Sequence, residues 1–79
     1  MGREGINLAL FEGNLAYGMI NDEVAVVQQI LIFLGYDTGV VDGCFGAATQ
    51  EAVIAFQNDH GLYADGIVGA MTKAALGMY

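Results

Sequence analysis

Apolar residues recur along most of this chain at helical spacing. Between Asn21 and Gly35, the residues Val24, Val27, Leu31 and Leu34 fall three and four apart, which places them on one face of a helix. Asn21 suits the N-cap, Asp22 and Glu23 complement the helix dipole in the first turn, and Gly35 suits the terminator. A second helix is predicted from about Ala47 to Asp59 or His60, with Thr49, Ala52, Val53 and Phe56 on its inner face and Gly61 as the left-handed residue that stops it. A third, short helix is predicted from about Ala70 to the C-terminus, with Tyr79 packing in its repeat as Phe56 does in its own. Residues 1–14 break this pattern. Ile6, Leu8 and Leu10 alternate in part, which fits a short strand, a frayed tail or an arm that docks a protein partner.

The helical segments are linked by a duplicated box. Asp42-Gly43-Cys44-Phe45-Gly46-Ala47-Ala48-Thr49 recurs 23 residues later as Asp65-Gly66-Ile67-Val68-Gly69-Ala70-Met71-Thr72. The same offset carries Ala52, Val53 and Phe56 onto Ala75, Leu76 and Tyr79. Each copy reads as turn, anchor, helix. The aspartate accepts from nearby backbone N–H groups while the glycine takes up a positive φ. Phe45 and Val68 then plug the core just ahead of the helix. Gly46 and Gly69 are the expected N-caps, leaving Thr49 and Thr72 at the third helical position, where a hydroxyl can reach back to the open helix end.

Composition narrows the class. At 79 residues the chain has room for one domain, which buries roughly 60% of its unfolded surface at this size. With 56% hydrophobic and 14% charged residues it is built to fold. The net charge of -7 sets nine acids against Arg3 and Lys73, a balance that excludes nucleic acid and disfavours an anionic membrane surface as partners. Cys44 has no second cysteine to pair with, and only His60 to join it as a soft ligand, so neither a disulfide nor a structural zinc site is expected. No apolar run reaches the ~20 residues of a membrane span, and residues 1–20 lack the features of a secretory signal peptide. A gene product with this beginning is expected to leave the cell by another route or to be phage-encoded.

From about Leu15 to Tyr79 the chain resembles the peptidoglycan-binding domain found attached to cell-wall hydrolases, phage endolysins and spore-cortex enzymes. The residues that carry the resemblance are Val24 to Gln29 with Leu31 and Leu34, Gly35-Tyr36, Asp42-Gly43, Phe45-Gly46, Thr49, Ala52-Val53, Phe56-Gln57, Gly61-Leu62, Asp65-Gly66, Val68-Gly69 and Thr72. The resemblance implies an all-α fold over residues 15–79, a small three-helix bundle with two Asp-Gly loop and helix pseudo-repeats. It also implies a non-catalytic module without cofactor, located at the cell wall, periplasm or cell exterior. Such a module binds the glycan or stem peptide of peptidoglycan and targets an attached or associated hydrolase or machine. The same fold serves in the propeptides of matrix metalloproteinases, whose inhibitory cysteine lies beyond the bundle; Cys44 lies inside the first loop, so that role does not carry over. The chain departs from the family pattern in its negative charge and in the loop Asp37 to Val41, which offers few donors to a stem-peptide carboxylate. An alternative reading is a structural or adaptor protein of a phage or injection apparatus that docks through residues 1–14.

Several side chains are candidates for chemistry. Asp42, Gly43, Asp65 and Gly66 read as structural locks of their loops; the competing reading, a calcium site, needs six or more oxygen ligands where each box offers one carboxylate. Tyr36 and Tyr63 flank the loops and suit a sugar face, a protein interface or packing against the loop. Gln57 is expected either to bond a neighbouring loop or to line a groove for sugar. His60 reads as a partner for a helix C-terminus and Cys44 as a partly buried structural thiol. No nucleophile and base are paired in the pattern, and no catalytic residue or metal ligand is assigned.

Overall fold

The computed structural model describes residues 13–78 and contains three helices: α1 (Asp22–Phe33), α2 (Ala47–Asp59) and α3 (Ala70–Leu76). Among the described residues there is no strand, only two isolated antiparallel bridges. The expectations for most of the N-terminal arm and for Tyr79 lie outside the described residues.

Each helix begins as its local sequence dictates. Asn21 caps α1, its Oδ1 accepting the Val24 N–H at 2.9 Å, with Asp22 and Glu23 in the first turn. Gly46 and Gly69 cap α2 and α3 from extended backbone without a side-chain bond, so these ends rely on Phe45 and Val68, both buried, to fix the entry of the chain. All three helices end alike. The residue after the terminal glycine turns its N–H back to the carbonyl five positions earlier: Tyr36 to Leu31 at 2.8 Å, Leu62 to Gln57 at 2.9 Å, Met78 to Lys73 at 2.8 Å. The side chains of Tyr36, Leu62 and Met78 then fold against the core. For this reason α3 stops at Leu76 and does not run to the C-terminus.

The core collects Val24, Val27 and Leu31 of α1, Ala52, Val53 and Phe56 of α2, Leu76 of α3, the plugs Phe45 and Val68, and Leu15 and Met78 from the flanks. α1 packs against both other helices. Leu34 does not join this face as expected; it is 46% exposed at the C-cap, where the chain already turns away. The buried stripe of α1 is instead Val24, Val27, Gln28 and Leu31, so a glutamine holds an inner position.

The segment ahead of α1 ties the repeats together. Leu15 exchanges backbone bonds with Val68 at 3.1 and 2.8 Å. A few residues on, Gly18 donates to the Phe45 carbonyl, Phe45 to that of Met19, and Asn21 to that of Gly43. One stretch of backbone thereby holds both loops. Gly13 and Asn14, assigned to the arm by sequence, already touch the bundle. The buried Lys73 donates from Nζ to the Gly13 carbonyl and pairs with Glu23 Oε2 at 3.1 Å, which links α3, α1 and the leading segment through one charge.

Candidate ligand-binding site

The site is built on two glutamine-locked loops. Gln57 extends from α2 into the second loop and is buried. Its Oε1 accepts the Gly66 N–H at 3.0 Å, and its Nε2 lies 3.0 to 3.1 Å from the Ile67 carbonyl, Asp65 Oδ1 and Thr72 Oγ1. Gln28 performs the same task from α1. Its Oε1 accepts the N–H groups of Asp42 and Gly43, and its Nε2, with two hydrogens to give, lies 3.0 to 3.2 Å from the Cys44 carbonyl, Asp42 Oδ1 and Thr49 Oγ1. A primary amide suits this work because it offers a donor and an acceptor on one rigid plane, matching the mixed polarity of a turned backbone.

The aspartates complete each lock. Asp42 Oδ1 accepts the Cys44 N–H and Asp65 Oδ1 the Ile67 N–H, both at 2.9 Å. These backbone donors hold both carboxyls below the usual carboxylate value, with Gln28 and Gln57 adding to the effect. Gly43 and Gly66 adopt φ of +77° and +76°, as the turn reading expects. Thr49 and Thr72 sit at the third helical position, but their hydroxyls do not reach back to the helix end. They accept from the glutamines, whose buried amides are the stronger claim on them. Cys44 is exposed, against the expectation of a partly buried thiol, because it rides at the tip of its loop while the next residue, Phe45, turns inward.

Beside the second loop lies a groove of about 360 Å³. The loop supplies Leu62, Tyr63, Asp65 and Ile67, the first turn of α3 supplies Ala70 and Met71, and Asn14 of the leading segment adds to the lining. Tyr63 and Met71 are 85% and 72% exposed and form its rims. Gln57 lies at its floor with its amide committed to the loop. Tyr36 stands elsewhere, in a shallow depression with Ile32, Gly35, Asp37 and Gly39. Its hydroxyl donates to Asp59 Oδ2 at 2.7 Å, which pushes the phenol above its ordinary value, and its ring meets Phe56 edge-on at 5.6 Å. Thus Gln57 and Tyr63 share one site and Tyr36 does not. His60 stacks on Phe56, with Nδ1 2.9 Å from the Phe56 carbonyl near the end of α2.

The residues sequence reasoning missed are Gln28, Asn14 and Met71. Gln28 could have been sought as the partner that the first loop requires once Gln57 is given to the second. Met71 lies inside the duplicated box, where an exposed methionine stands at the place of Ala48.

Three comparisons place this arrangement among known proteins. The model of the peptidoglycan binding domain family matches residues 21–76, and the chain belongs to that family. The N-acetylmuramoyl-L-alanine amidase CwlM of Mycobacterium tuberculosis is 45% identical over 58 residues, 73% of this chain and 14% of that protein. A crystal structure of a peptidoglycan-binding protein from Clostridioides difficile, in complex with glutamine hydroxamate, superposes with a TM-score of 0.81 at 40% identity, covering 85% of this chain and 42% of that one. The SleB N-terminal domain matches with the same TM-score at 38% identity over 84% of this chain and 90% of its own. The chain therefore spans a small part of its enzyme relative and nearly the whole of one solved domain.

Proposed function

We propose that this chain is a non-catalytic module that binds peptidoglycan and holds an attached or associated hydrolase or machine against the bacterial cell wall. The observation that carries this reading is the groove between Tyr63 and Met71, an open, partly apolar cleft one wall of which is a loop held by Gln57 and Asp65. Rigid walls lower the ordering cost of binding, and a tyrosine rim offers both an apolar face and a hydrogen-bonding tip. The chemistry of the lining supports binding without turnover. Its titratable groups are Tyr63 and Asp65, and Asp65 spends Oδ1 on a backbone N–H and an amide. That pair lacks the nucleophile and base that hydrolysis requires.

Sedimentation with purified, enzyme-free sacculi tests the reading. The folded chain is expected in the pellet, Tyr63→Ala is expected to shift it toward the supernatant with an unchanged helical signal, and a zymogram on wall substrate is expected to stay uncleared. No sedimentation at either low or moderate salt would overturn wall binding. A cleared band would overturn the non-catalytic assignment. The adaptor reading retains one observation of its own: Ile32, Phe33 and Leu34 at the end of α1 are all exposed, Phe33 at 88%. Self-association abolished by Phe33→Ser, in a chain that ignores sacculi, would favour it.

A further inference from the structure

The outer face of α1 lacks what a solvent-facing helix ordinarily carries. Asp22, Val26, Gln29 and Phe33 follow one another at intervals of four, three and four residues and are all exposed, so they form one stripe opposite the buried Val24, Val27 and Leu31. Such a stripe is normally filled with charge. Here it holds none beyond Asp22, and from Val24 to Tyr36 the sequence contains no aspartate, glutamate, lysine, arginine or histidine. Phe33 projects from the end of the stripe at 88% exposed, and its neighbour Ile32 carries the apolar surface into the depression that holds Tyr36. An uncharged ridge with an aromatic anchor is the form in which a helix enters an apolar groove or packs along another helix.

The borders of the ridge decide what can cover it. Asp22 stands at one end, Asp37 lines the depression at the other, and Asp59 beyond it holds the Tyr36 hydroxyl at 2.7 Å. The last turn of α1 has no basic residue to offset the negative end of the helix dipole. Among the described residues the one lysine, Lys73, is buried and paired with Glu23. A second copy of the chain would therefore set carboxylates against carboxylates. We propose that the outer face of α1 docks a basic amphipathic helix of a partner protein, about three turns long to match the ridge, with an apolar stripe flanked by lysine or arginine. None of the ridge residues lines the groove beside the second loop, so this surface is separate from the one the wall-binding reading uses.

The test is an NMR titration of the folded chain with two synthetic helical peptides that share one leucine stripe, flanked in one by lysine and in the other by glutamate. The lysine peptide is expected to shift Val26, Gln29 and Phe33, and the glutamate peptide to leave them in place. Phe33→Ser, at a position the core does not use, should weaken the lysine peptide ~10- to 100-fold, the affinity equivalent of one phenylalanine side chain kept from burial. Asp37→Asn, whose amide oxygen can still accept the Gly39 N–H, should weaken it only ~2- to 5-fold and flatten its salt dependence. Lysine-peptide shifts that spread over the Asp42 and Asp65 loops and survive Phe33→Ser would reduce the binding to charge attraction and overturn the assignment. Equal binding of the two peptides, silence with both, or self-association of the chain through Phe33 in sedimentation equilibrium would overturn it as well. Sacculus sedimentation should be untouched by Phe33→Ser; release of that variant from sacculi would place the ridge in the wall-binding surface and overturn the docking role. Failure of the unaltered chain to sediment, with the peptide results as expected, would break the wall reading and leave the docking surface standing.

Discussion

In the first repeat a glutamine of α1 reaches an aspartate 14 positions on to hold its loop; in the second, a glutamine of α2 reaches one 8 positions on. Both amides end among the same partners: a backbone carbonyl, an aspartate Oδ1, a threonine hydroxyl and the N–H of the loop glycine. The surroundings differ. The first loop is tied to the leading segment through Gly43 and Phe45 and carries an insert packed beside Ala48. The second contacts that segment through Val68 and leaves its flank open. One lock thus serves two ends, a first loop that holds the fold and a second that presents a surface.

The widest gap between the loops is expected in their core plugs. Phe45→Ala should cost ~3–5 kcal/mol, the range for a buried aromatic, which is most of the stability of a domain this small. Val68→Ala removes two buried carbons and should cost ~2 kcal/mol. Urea unfolding measures both. Equal losses would mean that the first loop has no privileged structural part.

Next come the glutamines. Gln57→Leu leaves the Gly66 N–H without its acceptor, at ~1–3 kcal/mol, whereas Gln28→Leu strands the N–H groups of both Asp42 and Gly43 and should cost more by about the same increment. Sacculus binding should respond in the opposite order. Gln57→Leu loosens a groove wall, whereas Gln28→Leu should spare binding while the chain remains folded. Loss of binding in both variants at equal helical content would erase the division of labour.

The boxes were legible in the sequence because they are local: Asp-Gly turns, plugs, glycine caps and Asn21 all act on neighbours within a few residues. The three-helix fold followed from them. Gln28 was hidden because its offset to Asp42 differs from that of Gln57 to Asp65, so the 23-residue alignment passes over it, and because it occupies a stripe where apolar residues are expected. Periodicity places Leu34 in that stripe because it does not show where a backbone turns away. The groove depends on three residues missing from one loop relative to the other, and on Asn14 arriving from the far end of the chain. Neither leaves a periodic mark. Tyr36 and Tyr63 look equivalent beside their loops, yet Tyr36 is drawn inward by Asp59 and Phe56.

The loop glycines give a smaller contrast. Both hold positive φ, so alanine pays ~1–2 kcal/mol at either position for the left-handed backbone. At Gly43 the new Cβ would also stand 2.9 Å from the Asn21 backbone carbonyl, which is fixed by the α1 cap; at Gly66 the near atom is Gln50 Cγ at 3.1 Å, part of a side chain that can swing aside. Gly43→Ala should therefore destabilise more than Gly66→Ala in the same urea assay. The reverse order would show that the junction with the leading segment gives way more easily than a side chain.

The smallest effect should be one in which the loops behave alike. Asp42 and Asp65 each accept a backbone N–H and a glutamine amide at closely matched distances, and both titrate below the ordinary value of 3.8. A depressed folded value means that the unfolded chain takes up the proton first as pH falls. The contribution of each aspartate is then fully present above 3.8 and drains away as pH drops through the lower folded value. Both carboxylates are exposed to solvent, so the slope should be shallow. Thermal melts from pH 6 to 2 should show Tm falling below about pH 4, with Asp42→Asn and Asp65→Asn each removing a similar share of that fall. If Asp42→Asn removed the whole acid slope and Asp65→Asn none, the second aspartate would contribute nothing to its loop, and the equivalence of the two locks would fail at the charge while surviving at the amide.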